Sequence, residues 1–192
     1  MFKKLFLIGL VGLVFAVVCN ADVSPEAKDA LLSIGGPGLE ITLDEQCDGT
    51  YEQGQPMLIS VIASQEAYLY LFDFDANPDT VSQFFPHPFW DTEGVLQAGV
   101  ALALPPEGAG IELVASSKPG EGLILGIVVS HPINPALVFT TEDMGGWWEI
   151  ESPGAEETLA KGLSGLLADL PSDSWYATAI CEYTVVAPAD AQ

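Results

Sequence analysis

Apolar and polar positions alternate along most of this chain, and the alternation is densest over residues 55–88 (QPMLISVIASQEAYLYLFDFDANPDTVSQFFPHP). An apolar strand, a tight turn at Ser64-Gln65-Glu66 and a second strand over residues 68–74 (YLYLFDF) are expected there. An acidic loop, Asp75-Ala76-Asn77-Pro78-Asp79, leads to a third strand ending in Phe84-Phe85-Pro86, so the segment predicts a three-strand antiparallel meander. Other period-two segments lie at residues 39–43, 111–115 and 175–186, with a weaker one within 95–104. Residues 123–130 (LILGIVVS) form a continuous apolar run, as expected of a strand buried on both faces. Residues 51–55 and 118–122 read as turns, and residues 131–152 as a long loop.

Two helices interrupt this pattern. Ser24 can cap the first, Pro25 suits its first turn, and Gly35-Gly36 stops it. The second begins at Ser152-Pro153 and ends at Pro171. Its Leu159, Leu163, Leu166, Leu167 and Leu170 make one apolar stripe. Seven or eight short strands separated by turns predict a mainly β fold: an Ig-like antiparallel β-sandwich with one packed amphipathic C-terminal helix. The expected organisation is a signal peptide at residues 1–21, an N-terminal helix and linker at 22–38, the sandwich at 39–187 and a loose tail at 188–192.

The N-terminus reads as an export signal. Lys3 and Lys4 precede an apolar run over residues 5–18, shorter than the roughly 20 residues a membrane span needs. Cys19-Asn20-Ala21 places small residues at a cleavage site, so the expected location is periplasm, cell envelope or the extracellular space. Cleavage after Ala21 competes with lipidation of Cys19 and with an uncleaved anchor; bulky Val18 fits poorly before a lipidated cysteine. Outside the cytosol Cys47 and Cys181 can persist as a disulfide joining the two ends of the domain, the alternative being two separate buried thiols.

Composition narrows the partners. Apolar residues make up 49% of the chain, enough for a full core. Five lysines face 27 acids, and arginine is absent. Loss of residues 1–21 removes two lysines and no acid, leaving three against 27 and a net charge of −24. Such a surface repels phosphates, which argues against nucleic acid and against anionic lipid beyond the signal peptide or a lipid on Cys19. The acidity reads either as solubility, in a saline habitat for example, or as a surface that gathers divalent cations or a basic partner.

Several short constellations resemble a bacterial family known as domain of unknown function 4384. They are the Tyr51-Glu52-Gln53-Gly54-Gln55 turn before an apolar strand, the Tyr68-Leu69-Tyr70-Leu71-Phe72 strand, the acidic turn over residues 73–79, and Phe84-Phe85-Pro86-His87. Residues 118–129, the second helix and Trp175-Tyr176-Ala177-Thr178-Ala179 are similar to the family's later segments, so the resemblance spans residues 39–186. His87 replaces a usual Asn, and Pro78 a frequent Gly. The resemblance implies a β-sandwich found in envelope proteins and as an appendage to kinase or protease domains. It implies no catalytic residue.

Candidate chemistry is sparse. Asp73, Asp75, Asn77 and Asp79 alternate like the oxygen ligands of a calcium loop, yet Pro78 and Phe84 occupy the positions where such a loop needs Gly and an acid. A solvated hairpin loop is the competing reading, and no other cofactor is expected. His87, His131, Asp91 and Glu142 have no zinc-ligand spacing. Ser130 precedes His131, and neighbours on a strand point to opposite faces, which argues against a dyad. Neither a Gly-x-Ser-x-Gly motif nor a phosphate loop occurs, and no acid pair stands out for glycoside hydrolysis. Phe89, Trp90, Trp147 and Trp148 lie in expected loops, where they either cap the sandwich core or stack on sugar rings or a partner protein. The function expected from the sequence is a non-catalytic exported binding or envelope-associated module with a protein or glycan partner in the cell envelope. A glycan-binding domain using the loop tryptophans and a secreted hydrolase are the alternatives.

Overall fold

A computed structural model describes residues 25–34, 36–74, 80–87, 94–116, 118–134, 137–138, 148–151 and 154–189. The strands are β1 (Leu39–Leu43), β2 (Gly49–Glu52), β3 (Pro56–Met57), β4 (Ile59–Ala63), β5 (Ala67–Phe74), β6 (Thr80–Phe85), β7 (Val95–Leu96), β8 (Leu102–Leu104), β9 (Leu113–Val114), β10 (Gly120–Val129), β11 (Trp148–Glu151) and β12 (Tyr176–Val186). The helices are α1 (Pro25–Ser33) and α2 (Ala155–Ala168).

The large sheet has the order β11-β6-β5-β10-β12-β2, with β7 also paired to β5. A smaller sheet, β1-β4-β8, and the short β3-β9 pair cover one of its faces, and the helices cover the other. The mainly β sandwich with a packed C-terminal helix is therefore present. Double burial is written in the side-chain alternation of β5. Leu69 and Leu71 join the core under the small sheet, while Tyr70, Phe72 and Phe74 join the core under the helices. In β10, Ile124 and Val128 face the small sheet, and Leu123, Leu125, Ile127 and Val129 face the helices. Each fully buried large side chain contributes about 1.5–3 kcal/mol, so these two strands dominate the packing.

Helix α2 lays Leu159, Leu163 and Leu167 into the helix-side core, with Leu166 and Leu170 at its margin. It begins at Ala155, with Gly154 as its N-cap residue; Ser152 and Pro153 lie outside the described residues. Helix α1 is more than a lead-in. Leu31 is completely buried against α2 and the sheet, and Lys28 Nζ meets Glu182 at 2.8 Å.

The structure corrects several sequence expectations. Residues 55–88 are not a three-strand meander: β5 and β6 form a hairpin, but β4 pairs with β1 and β8 in the other sheet. The Ser64-Gln65-Glu66 turn is thus a corner between sheets. Alternation reports which residues face inward, not which strand lies alongside, so it could not separate the two cases. Tyr51 belongs to β2, not to a turn, and β2 pairs in parallel with β12. Every other pairing of named strands is antiparallel. Strand β10 starts at Gly120, inside the expected 118–122 turn, and the expected 131–152 loop ends in edge strand β11. Residues 1–24, and with them the signal-peptide and Cys19 expectations, lie outside the described residues.

Cys47 and Cys181 are joined in a disulfide across a sequence separation of 134, with their Cα atoms 5.0 Å apart. The bridge ties the β1–β2 turn to the middle of β12. In the chain-entropy view, closing a loop of this length stabilises the fold by about 5 kcal/mol. Intact mass before and after reduction and alkylation is expected to show one bridge. A Cys47→Ser/Cys181→Ala variant is expected to lose several kcal/mol in urea unfolding, about 5 at most. Two alkylatable thiols in the unreduced protein would contradict the bridge.

Candidate functional site: a cleft at the open end of the sandwich

The small sheet does not cover the whole inner face of the large one. Between β4, the β3–β9 pair and strands β5, β6, β10 and β12 lies a cleft of about 320 Å³. Met57, Ile59, Phe84, Leu113, Val114 and Ile124 form its apolar wall, and Asp73, Ser82, Glu112 and Tyr183 its polar groups. This size is at the lower end of small-molecule sites, and a mainly apolar wall with a few convergent polar groups is their usual chemistry. A second hollow of about 590 Å³ runs along residues 105–112. Its wall comes from that single stretch, so it brings together no side chains from separate elements.

Asp73 is the unusual residue of the cleft. It stands in phase with Leu69 and Leu71 on β5, the row that faces the small sheet. A carboxylate there would cost several kcal/mol if it were fully enclosed and unpartnered. The cleft leaves it half-buried, and the Tyr183 hydroxyl donates to its Oδ1 at 2.9 Å.

Tyr183 reaches Asp73 across an intervening strand. It sits on β12 opposite Gly122 of β10, and Asp73 pairs with the next-but-one residue, Ile124. A β-carbon at Gly122 would overlap the tyrosine ring, so only glycine lets the ring lie across β10. The same ring makes a T-shaped contact with Tyr51, at 6.1 Å between centroids.

Tyr51 in turn anchors the turn that leads into one lip of the site. It is completely buried, and its hydroxyl donates to Asp44 Oδ1 at 2.7 Å and accepts the Glu45 N–H at 3.3 Å. Asp44 Oδ1 also accepts the Leu58 N–H. The Tyr51-Glu52-Gln53-Gly54-Gln55 motif acquires a physical meaning here. Gly54 takes a left-handed φ of 73°, the Gln55 side chain accepts the Glu52 N–H, the Gln55 N–H donates to the Glu52 carbonyl, and the Gln55 carbonyl accepts the Ala115 N–H. The turn thus fixes β3, and with β3 one lip of the cleft.

Burial pushes the Asp44 carboxyl up, but the hydrogen bonds from Tyr51 and from the Leu58, Asp44 and Glu45 backbone outweigh it and hold the group below its ordinary range. Burial, then the Asp44 bond, pushes the Tyr51 hydroxyl well above its ordinary range. Burial also raises Tyr70, against the opposing effect of the Ile133 N–H.

The residues singled out in the sequence fare differently. Asp73 is in β5, as its strand pattern implied, and faces the cleft rather than the following loop. Asp75, Asn77 and Asp79 lie outside the described residues, as do Phe89, Trp90 and Trp147. Trp148 is not a loop residue: it opens edge strand β11, opposite Gln83 of β6. No group of three or more His, Cys, Asp or Glu able to hold a metal occurs among the described residues.

Ser130 and His131 do meet, contrary to the argument from strand alternation. β10 ends at Val129, so both lie in the turn beyond it, where alternation no longer applies. Ser130 Oγ is 3.1 Å from His131 Nδ1, and Ser174 Oγ is 3.0 Å from the same nitrogen. Ser130 Oγ also accepts the Trp175 N–H. Two hydroxyls share one ring nitrogen in an exposed turn, an arrangement that ties the end of β10 to the start of β12.

Tyr183, Ser82 and Glu112 were not singled out in the sequence. Only Asp73 carried a signal: an acid in the inward phase of an otherwise apolar strand.

Residues 50–132 match the family model of the domain of unknown function DUF4384. The resemblance read from the motifs holds over this segment, which contains β3 to β10 and most of the cleft wall; α2 and β12 lie beyond it. No curated protein and no solved structure matches the chain.

Two outcomes test this geometry. Asp44 contributes stability above about pH 4 that is lost as pH falls through its lowered value; Tyr51 contributes below about pH 10 and loses it as pH rises through its raised value. Tyr51→Phe is expected to cost about 1–2 kcal/mol at neutral pH and to flatten the alkaline decline in urea-unfolding stability, leaving the part due to Tyr70. An unchanged alkaline limb would contradict the assignment. Gly122→Ala is expected to cost about 1–3 kcal/mol by displacing the Tyr183 ring. Combined with Tyr183→Phe it should be less than additive, because the displaced ring has already lost its bond to Asp73, and strict additivity would show that this bond does not depend on the glycine.

Proposed function

We propose that the chain is an exported, non-catalytic binding module of the cell envelope, and that the cleft between the two sheets is its binding site. The observation that carries this reading is the cleft: an apolar hollow of about 320 Å³ with Asp73, Ser82, Glu112 and Tyr183 converging from four separate segments. Export is supported by the charged-then-apolar layout of residues 1–21 and by the Cys47–Cys181 bridge, which persists in an oxidising compartment. An acidic surface keeps such a domain soluble and discourages contact with anionic lipid.

The binding reading is tested by fragment screening of the isotope-labelled, disulfide-bonded protein by NMR. Bound fragments are expected to shift the amides of Met57, Ile59, Asp73, Phe84, Leu113 and Tyr183 as one connected set. Shifts that cluster away from the cleft, or none at all across an apolar and amphipathic library, would overturn it. Export is tested by fractionating the native cells, with the protein expected outside the cytosol and beginning at Asp22 by mass.

A further inference from the structure

We infer that the cleft selects a small amphipathic cation: an apolar body ending in an ammonium or guanidinium group. This rests on the cleft being the binding site. Among the described residues, the polar groups that line the cleft are two carboxylates, Asp73 and Glu112, and two hydroxyls, Ser82 and Tyr183, and none of the lining residues is basic. The carboxylates sit at different depths. Asp73 lies on the inward row of a central strand and is held by the Tyr183 hydroxyl, whereas Glu112 is exposed at the rim beside Leu113 and Val114. An entering cation therefore meets acid first at the mouth and again at the floor, while its apolar portion lies along Met57, Ile59, Phe84 and Ile124. An anion would meet the same two charges as repulsion. The charge of the whole chain works in the same direction, with 27 acids against five lysines, two of which are paired, Lys28 with Glu182 and Lys161 with Glu157. Apolar contact supplies the general affinity of such a site, and the placed charge supplies the discrimination.

Calorimetric titration with 4-phenylbutylamine, 4-phenylbutanol and 4-phenylbutyrate separates these contributions. The amine is expected to bind about tenfold more tightly than the alcohol, and the carboxylate more weakly than either. Asp73→Asn should remove most of the amine's advantage without changing the alcohol, and Glu112→Gln, at an exposed position, should reduce it in a smaller step. Val114→Trp, also at an exposed position, should weaken amine and alcohol together by filling the mouth. Equal binding of amine and alcohol to the unaltered protein would overturn the cation inference while leaving the cleft as the site. Failure of all three to bind would overturn both. Binding of a blocked Phe-Lys peptide in place of the free amine would overturn the assignment to a small molecule.

Discussion

The structure depends on one constraint: β5 and β10 are buried on both faces. A sheet in that position needs cover on each side, and two different kinds of cover supply it. Helices α1 and α2 bring Leu31, Leu159, Leu163 and Leu167 to one face, while the small sheet brings Ile41, Ile59, Val61 and Leu104 to the other. The helix-side face of β5 is aromatic throughout its buried length, with Tyr70, Phe72 and Phe74 in a row. The opposite row breaks at Asp73, beyond the reach of the small sheet's cover, and the cleft opens there. The site is thus a consequence of how far the second layer extends.

The Asp73 row also ties together residues far apart in sequence. Gly122 gives up a side chain so that Tyr183 can cross β10, and Tyr183 satisfies a carboxylate two strands away. Tyr51 packs at right angles against that ring and fixes the neighbouring turn through Asp44. The disulfide at Cys181 lies two residues before Tyr183, on the same inward row of β12. Covalent bridge, aromatic pair and carboxylate form a continuous line from the domain's edge to its cleft.

Much of the fold was legible in the sequence because period-two alternation and the leucine stripe report burial directly. Strand β1 and the ends of α1 and α2 were readable from alternation, glycine and proline. The partition of strands between sheets was not, because Ile59, Val61 and Ala63 show the same inward pattern whether their neighbour is β5 or β1. Parallel pairing of β2 with β12 likewise leaves no local signature. The site was partly hidden for another reason. Asp73 reads naturally as the start of an acidic loop, and Tyr183, on the last strand, is 110 residues away. Only three-dimensional adjacency makes the two a pair. The Tyr51 motif was visible as a motif, but its work is to hold a turn, and a motif with a structural role cannot announce a ligand.

On this reading Asp73 is the floor of an open cleft rather than a core defect. A crystal structure of the disulfide-bonded protein soaked with 4-phenylbutylamine tests this most directly. Density is expected to run from Val114 to Asp73, with the ammonium about 3 Å from the carboxylate and Tyr183 still donating to it. A cleft closed by neighbouring side chains, with Tyr183 turned away from Asp73 and no bound amine, would contradict it.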